Sequence, residues 1–233
     1  MNKAGLLKQL TLRGISCSDQ QLDRLMHFMK TVIFTNDSFN LTAITNESEF
    51  LDKMVLDSAL ALVGNDFSGK KVIDVGTGAG FPGMVLYMLN PAMDLTFLDS
   101  TQKKINFLLA YAQQKDYYYN GVTIRAEDYC KLHREEYDVA TARAVATLNV
   151  LLEIIMPLLK VGGTFIALKG PNVDNEIEDC QKAFVKLGCH IDKIYKDTLP
   201  DCGENRRVVY IVKDKPTNKK YPREYNEIKR LPL

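Results

Sequence analysis

Apolar residues recur at helical spacing in the N-terminal part of the chain. This periodicity predicts helices from residue 3 to about residue 34 and again over residues 48–62. Ser18-Asp19 inside the first stretch is typical of a helix N-cap. Residues 1–65 are therefore predicted to form a helical extension.

From Lys71 onward the pattern changes to short apolar runs that alternate with helical segments, which indicates βαβ units around a parallel sheet. The last two runs are separated only by a turn, so we expect an antiparallel hairpin. The predicted fold is α/β, with a Rossmann-like seven-stranded sheet whose last strand is antiparallel, over residues 66–213. Residues 214–233 form a basic tail that we expect to be partly ordered at best. The predicted strands are 71–75, 94–99, 122–126, 137–141, 163–168, 190–198 and 207–213.

Composition excludes several classes of protein. The 233 residues, 46% hydrophobic and 25% charged, suit one globular domain with an extension. No signal peptide or membrane-spanning segment is visible, so we expect a cytoplasmic protein without membrane contact. The five cysteines form no Cys-x-x-Cys pair and no cluster with the histidines at the spacings of a metal site, which predicts reduced thiols and no metal site. A net charge of +1 gives no overall attraction to nucleic acid.

A glycine-rich segment follows the first strand, over residues 72–83. Gly76 and Gly78 allow a tight turn and close approach of the backbone to a ligand, but Phe81 stands where a dinucleotide-binding loop has its third glycine. Asp74, just before the glycines, would attract a cationic amino-acid group and repel a pyrophosphate. The segment therefore favours S-adenosylmethionine over a dinucleotide, and the class I fold of methyltransferases that use it.

Acidic residues at two further strand ends extend this prediction. Asp99 ends the second strand, where a carboxylate accepts hydrogen bonds from ribose hydroxyls, although it could also cap the following helix. After the third strand, the Ala126 amide or the carboxylates of Glu127 or Asp128 could contact adenine, and Asp128 could equally cap a helix. We expect Ala126 and Glu127 to be the contacts.

The catalytic residues that are missing at the strand ends narrow the choice of methyl acceptor. No cysteine lies where pyrimidine carbon-5 methylation needs a nucleophile, and residues 141–145 do not match the Asn/Asp-Pro-Pro-aromatic motif of amine methylation. Oxygen acceptors need a base or a metal. Guanine N7 needs neither, because its lone pair is already free, so the site would only have to align it.

Cations follow the same strand ends. Arg125, Arg143 and Lys169 lie at the ends of strands three, four and five, and Arg206-Arg207 begins a strand at the same edge. The carboxyl ends of such strands form one crevice, so these cations are predicted to hold phosphates or the O6 edge of a flipped guanine. The alternative is a set of solvated surface charges.

The chain resembles the RsmG family, also called GidB, of bacterial small-subunit rRNA guanine-N7 methyltransferases. The similarity spans nearly the whole chain, with Thr35 and Met54 departing from residues common in the family. The matching segments are 40–44, 56–58, 74–83, 98–100 with Lys103, 125–127, 143–144, 168–170 and 220–223.

The resemblance implies a monomeric enzyme, without an obligate protein partner, that methylates N7 of a guanine in the decoding-region loop of 16S rRNA in the 30S subunit. It implies S-adenosylmethionine contacts at Gly76, Phe81, Ala126, Glu127 and Arg143. It implies RNA or target contacts at Asn40, Arg125, Lys169 and one of the pair Arg206-Arg207, of which we favour Arg206.

Three other hypotheses stay open at this point. The acceptor could be a small molecule or a protein, or the chain could be a ribosome-assembly factor that binds the cofactor without turnover. A nicotinamide-dependent enzyme is the most distant alternative.

Overall fold

The computed structural model describes the backbone of residues 1–233 and the side chains of all residues except 37–39. One seven-stranded sheet organises the chain, in the order β3-β2-β1-β4-β5-β7-β6. The strands are β1 (Lys71–Val75), β2 (Asp94–Asp99), β3 (Asn120–Thr123), β4 (Tyr137–Arg143), β5 (Leu159–Lys169), β6 (Cys189–Thr198) and β7 (Asn205–Lys213). Strands β1 to β5 run parallel, and β7 pairs antiparallel with both β5 and β6. The predicted Rossmann-like sheet with an antiparallel last strand is confirmed.

One predicted strand was misplaced. The apolar run at 122–126 is a strand only up to Thr123, and Ala126 already begins a helix. Because β3 is the edge strand and is at best half-buried, its sequence lacks the continuous apolar signal of the central strands. Strand β5 also starts earlier than predicted, at Leu159.

Helices flank the sheet on both faces. Helix α2 begins at the predicted Ser18 cap, whose side chain and that of Gln21 form a reciprocal capping box. The segment from Glu47 to Leu62 is one irregular helical stretch. The helices are α1 (Lys3–Leu12), α2 (Asp19–Phe39), α3 (Glu47–Phe50), a π-helix (Leu51–Leu56), α4 (Asp57–Ala59), a 3₁₀ turn (Leu60–Leu62), α5 (Gly83–Leu89), α6 (Gln102–Lys115), α7 (Ala126–Leu132), α8 (Leu148–Ile155), a 3₁₀ turn (Met156–Leu158), α9 (Val173–Asp179), α10 (Gln181–Leu187) and α11 (Tyr225–Arg230).

The two faces of the sheet bury separate apolar clusters. One contains α1 to α4 with α5 and α6, packed on strand residues such as Val72 and Phe97. The other contains α8 and α10, packed on strand residues such as Ile73 and Phe165. Alternate residues of each strand thus serve opposite clusters. The N-terminal helices share their core with the sheet and cover one of its faces.

The C-terminal segment contradicts the expectation of a poorly ordered tail. Tyr221 and Ile228 are buried in the second apolar cluster. The Arg134 guanidinium donates hydrogen bonds to the carbonyl oxygens of Tyr221 and Thr217, at 2.7 and 2.9 Å. Sequence composition missed this order because the few apolar anchors are spaced among many charges.

Across the part of the chain that the structure describes, every helix is too short or too polar to cross a membrane.

Candidate active site

A cavity of about 260 Å³ opens where the parallel strands end. We call it the glycine-loop cavity, because Gly76 forms part of its wall. Its other lining residues come from the ends of β1 and β2, the segments after β2, β3 and β4, and helices α6, α7, α8 and α11. They are Val75, Leu98, Asp99, Ser100, Lys104, Ile124, Arg125, Ala126, Glu127, Ala144, Val145, Leu151, Ile154 and Tyr225.

The glycine loop is held in a conformation that favours glycine. Gly76 has a φ of 70°, and a Cβ at this position would lie 2.6 Å from a methyl carbon of Val145. Gly78 has a φ of 60°, and its N–H donates a hydrogen bond of 3.0 Å to Asp99. The loop is thereby tied to the end of β2, and Gly78 itself does not line the cavity.

Asp74 lies beneath this loop and does not line the cavity. One carboxylate oxygen accepts hydrogen bonds from the Thr77 hydroxyl at 2.6 Å and the Gly83 amide at 3.0 Å, and the other accepts from the Thr141 hydroxyl at 2.9 Å. Burial raises the pKa of Asp74 to about 6, although these donors act to lower it. The Asp74 carboxylate is thus enclosed by the loop that it holds, and its expected attraction for a cationic ligand stays a prediction.

Phe81 likewise does not line the glycine-loop cavity. Its ring packs against Phe28 and Phe50 and lies 5.7 Å from the guanidinium of Arg143. Only 3% of Phe81 is exposed, so its ring has a packing role, and the expected cofactor contact at this position stays a prediction. The residue supports Arg143 from the apolar side.

Asp99 faces the cavity and also holds its surroundings. Its oxygens accept hydrogen bonds from the amides of Gly78 and Thr101, at 3.0 and 2.9 Å. Thr101 is the N-cap residue of α6, so the two roles weighed for Asp99 coexist. A carboxylate has further lone pairs, which leaves Asp99 able to accept hydrogen bonds from a ligand in the cavity.

The segment after β3 forms the far wall. Ala126 and Glu127 begin α7 and both line the cavity, with Glu127 buried. Arg125 is the N-cap residue of α7, and its guanidinium lies 5.9 Å from the ring centre of Tyr225. Arg125 therefore lines the glycine-loop cavity, and its expected contact with RNA stays a prediction.

The remaining predicted cations do come together. A second cavity of about 520 Å³, the arginine cavity, contains Arg143, Lys169 and Arg206. Ala144 and Val145 line both cavities and separate them. Ala144 has a φ of 54°, a left-handed conformation that non-glycine residues adopt at a cost and that clusters at functional sites.

Carboxylates hold the cations of the arginine cavity in place. Asp57, 5% exposed, lies 3.3 Å from Arg143 and 3.2 Å from Arg206. Burial raises the pKa of the Asp57 carboxyl, while both guanidiniums act to lower it. The Lys169 ammonium donates to Glu176 at 2.8 Å and to the Ala146 carbonyl at 2.7 Å.

Sequence reasoning missed Asp57 and Glu176 as parts of the site. Asp57 follows a π-helical turn, a feature frequent at functional sites. A signal existed, since an acidic residue interrupts the apolar periodicity of residues 50–62. For Glu176 the sequence offers no signal, because α9 carries several exposed acidic residues.

Neither Asn40 nor Arg207, the less favoured member of the Arg206-Arg207 pair, is among the described residues that line the two cavities. Asn40 is the C-cap of α2, with a φ of 50°. Arg207 alternates with Arg206 along β7, so the two side chains lie on opposite sheet faces, and Arg207 pairs in register with Lys169 and Lys196. Its buried Nε atom has no hydrogen-bond partner among the described residues.

Comparison with known proteins gives a consistent family. The family described as GidB, rRNA small subunit methyltransferase G, matches residues 21–209. Ribosomal RNA small subunit methyltransferase G of Symbiobacterium thermophilum is 42% identical, covering 98% of this chain and 97% of the relative. The protein of the same name from Bacillus cytotoxicus is 40% identical, covering 100% of this chain and 99% of the relative.

Solved structures share the fold at low sequence identity. The cyclase SpnF has a TM-score of 0.55 at 14% identity, covering 85% of this chain and 96% of its own. TYW2 of M. jannaschii, solved in complex with AdoMet, has a TM-score of 0.55 at 13% identity, covering 73% of this chain and 79% of its own. These likenesses support the class I methyltransferase fold, and the sequence matches show that the chain belongs to the rRNA small subunit methyltransferase G family.

Proposed function

We propose that this protein transfers a methyl group from S-adenosylmethionine to N7 of a guanine in 16S rRNA, acting on the 30S subunit in the cytoplasm. The observation that carries the proposal is the pair of cavities that meet at Ala144 and Val145. The glycine-loop cavity has the features of a site for the methyl donor, and the arginine cavity has those of a site for a phosphate-bearing acceptor. A reaction that joins two ligands needs this adjacency.

The glycine-loop cavity fits the methyl donor. Gly76 leaves room that a Cβ would fill, next to Val145. Asp99 and Glu127 provide carboxylates for hydroxyl and amine donors, while Leu98 and Ile124 provide apolar surface. We propose that Asp99 holds the ribose and that Ala126 and Glu127 hold the adenine. When bound, S-adenosylmethionine supplies a methyl group on a cationic sulfur.

The arginine cavity fits the nucleotide that accepts the methyl group. Arg143, Lys169 and Arg206 provide donors for phosphate oxygens or for guanine O6. Positive charge grows on the attacking nitrogen during transfer, so cations would oppose the reaction if they touched N7 itself. We propose that they hold the edges of the base and its phosphate, which leaves N7 directed at the Ala144–Val145 wall.

The choice of N7 is supported by the state of the carboxylates. Asp57 and Glu176 line the arginine cavity, and each is bound to a cation. Their oxygens are engaged by Arg143, Arg206 and Lys169, so neither carboxylate is placed as a general base against a bound nucleotide. A cavity that aligns its substrate without deprotonating it suits guanine N7, whose lone pair is free.

The test is methylation of 30S subunits from a strain that lacks the enzyme. Purified protein and radiolabelled S-adenosylmethionine should label 16S rRNA, and chain cleavage at 7-methylguanosine should locate the nucleotide. Label on another atom or another RNA would contradict the proposed acceptor. Binding of the cofactor and of 30S subunits without any label would favour the assembly-factor alternative.

A matched pair of variants tests the arginine cavity. Lys169 and Lys160 are lysines on the same strand, and Lys160 pairs with Asp138 at the opposite end of β5. Lys169→Met should reduce methylation at least tenfold, whereas Lys160→Met should leave it unchanged. Equal activity of the two variants would remove the arginine cavity from the acceptor site.

A further inference from the structure

The C-terminal residues 221–230, which we call the strap, are bound to α8, a helix that lines the glycine-loop cavity. Arg223 binds Glu153 of α8 through its backbone amide at 3.0 Å, its Nε at 2.8 Å and a terminal nitrogen at 2.6 Å. Glu153 is fully buried, so this pairing is desolvated and directional. Two residues beyond Arg223, the chain begins α11.

The strap places one aromatic ring in the wall of the glycine-loop cavity. Tyr225, the first residue of α11, is half-buried and lines the cavity together with Ile124 and with Leu151 and Ile154 of α8. These three aliphatic side chains and the tyrosine ring form an apolar part of the wall. Neighbouring Lys131 of α7 also binds Glu224, at 2.8 Å, which ties the start of α11 to that helix.

We propose that Tyr225 is a binding residue for the adenine ring of the methyl donor, and that residues 221–230 form the wall that closes this end of its site. The inference rests on the proposed function. A flat apolar surface recognises a planar aromatic ring, by stacking or by edge contact, and excludes water from it. The chemical class recognised is an adenine nucleoside.

The strand order of the sheet supports placing the adenine at the Tyr225 end of the glycine-loop cavity. The wall shared with the arginine cavity follows β4, the ribose-binding Asp99 ends β2, and Arg125 follows β3. For transfer into the arginine cavity the sulfur of the donor would have to lie at the shared wall, and its adenine would then extend toward β3. Tyr225 is at that end, since the Arg125 guanidinium lies 5.9 Å from its ring centre.

Isothermal titration of the full-length protein with S-adenosylhomocysteine tests the proposal. Tyr225→Ala should weaken binding roughly fivefold to tenfold, the range of an aromatic contact, and Tyr225→Phe should bind as the unchanged protein does. Tyr118, 83% exposed on the sequence before β3, provides the control, and Tyr118→Ala should have no effect. Tyr225→Leu keeps apolar packing while removing the ring, so it serves if the alanine variant unfolds.

A second titration identifies the part of the ligand that is affected. 5′-Methylthioadenosine, which retains the adenine, should lose affinity in Tyr225→Ala by the same factor as S-adenosylhomocysteine. Unchanged affinity for both ligands in a folded variant would overturn the proposal, as would a loss confined to 30S binding. If the unchanged protein bound neither ligand, the proposed function itself would fail, which is a separate outcome.

Discussion

The buried carboxyl of Asp74 gives the sharpest test of how the glycine loop is held. Asp74 is fully buried, and its pKa is raised by burial to about 6. The unfolded chain has the ordinary value of about 3.9, so the folded state binds the proton more tightly. Stability from this group is therefore fully present below about pH 4 and is lost as the pH rises through 6.

The size of the effect follows from the shift. A difference of about two pKa units corresponds to about 3 kcal/mol of unfolding free energy at pH 7. The substitution Asp74→Asn removes the titration and preserves the contacts. Its amide oxygen can accept from Thr77 and Gly83, and its NH₂ can donate to the Thr141 hydroxyl, in place of the three bonds observed.

Urea unfolding between pH 5 and 8 measures this difference. The stability of Asp74→Asn relative to the unchanged protein should grow with pH by about 1.4 kcal/mol per unit up to pH 6 and then level off. Asp66→Asn is the control, because hydrogen bonds from Ser68 lower the pKa of Asp66 to about 2, outside the measured range. A stability difference that does not change with pH would refute an elevated pKa for Asp74.

Three further predictions concern the Arg223–Glu153 pair, the glycine loop and Arg207. Arg223→Ala leaves Glu153 buried without its cation and should lower the free energy of unfolding by roughly 3–5 kcal/mol in urea titrations, and a loss below about 1 kcal/mol would contradict the strap. Gly76→Ala should weaken S-adenosylhomocysteine binding tenfold or more by calorimetry, because the left-handed conformation costs about 1–2 kcal/mol and the new Cβ would meet Val145. Unchanged affinity would show that the loop adapts to the new side chain. Arg207→Ala should weaken 30S binding and reduce its salt dependence in filter-binding assays, without changing cofactor affinity, and an unaltered salt slope would exclude a phosphate contact.

The parts of the fold that sequence could predict are those with local signals. The bounds of β1 and β2 agree residue for residue with the predicted strands, because both are central, nearly continuous apolar runs. The hairpin of β6 and β7 was also predicted, from its short turn. Edge strand β3 and the C-terminal segment depend on packing partners far away in sequence, so composition and periodicity misjudged both.

The residues of the candidate site also fall into those that local sequence signals predict and those that they do not. Strand-end cations such as Lys169 could be predicted because parallel strands bring their carboxyl ends to one edge. Their carboxylate partners come from helices, Asp57 before β1 and Glu176 after β5, and no pattern in the sequence pairs them. Likewise, Phe81 and Asp74 sit at motif positions that suggest ligand contact, and only three-dimensional packing shows that both lie behind the loop.

The charges around the arginine cavity define what the cavity contributes to the proposed reaction. The described residues that line it include three cationic side chains and two carboxylates, which leaves one net positive charge among them. So small an excess attracts a polyanion weakly, whereas ion pairs with Asp57 fix the directions of Arg143 and Arg206 before substrate arrives. The cavity is therefore better suited to orienting a nucleotide than to capturing RNA. Affinity for RNA must then come from other cations, and we expect Arg207 to be one, since its Nε atom has no hydrogen-bond partner among the described residues.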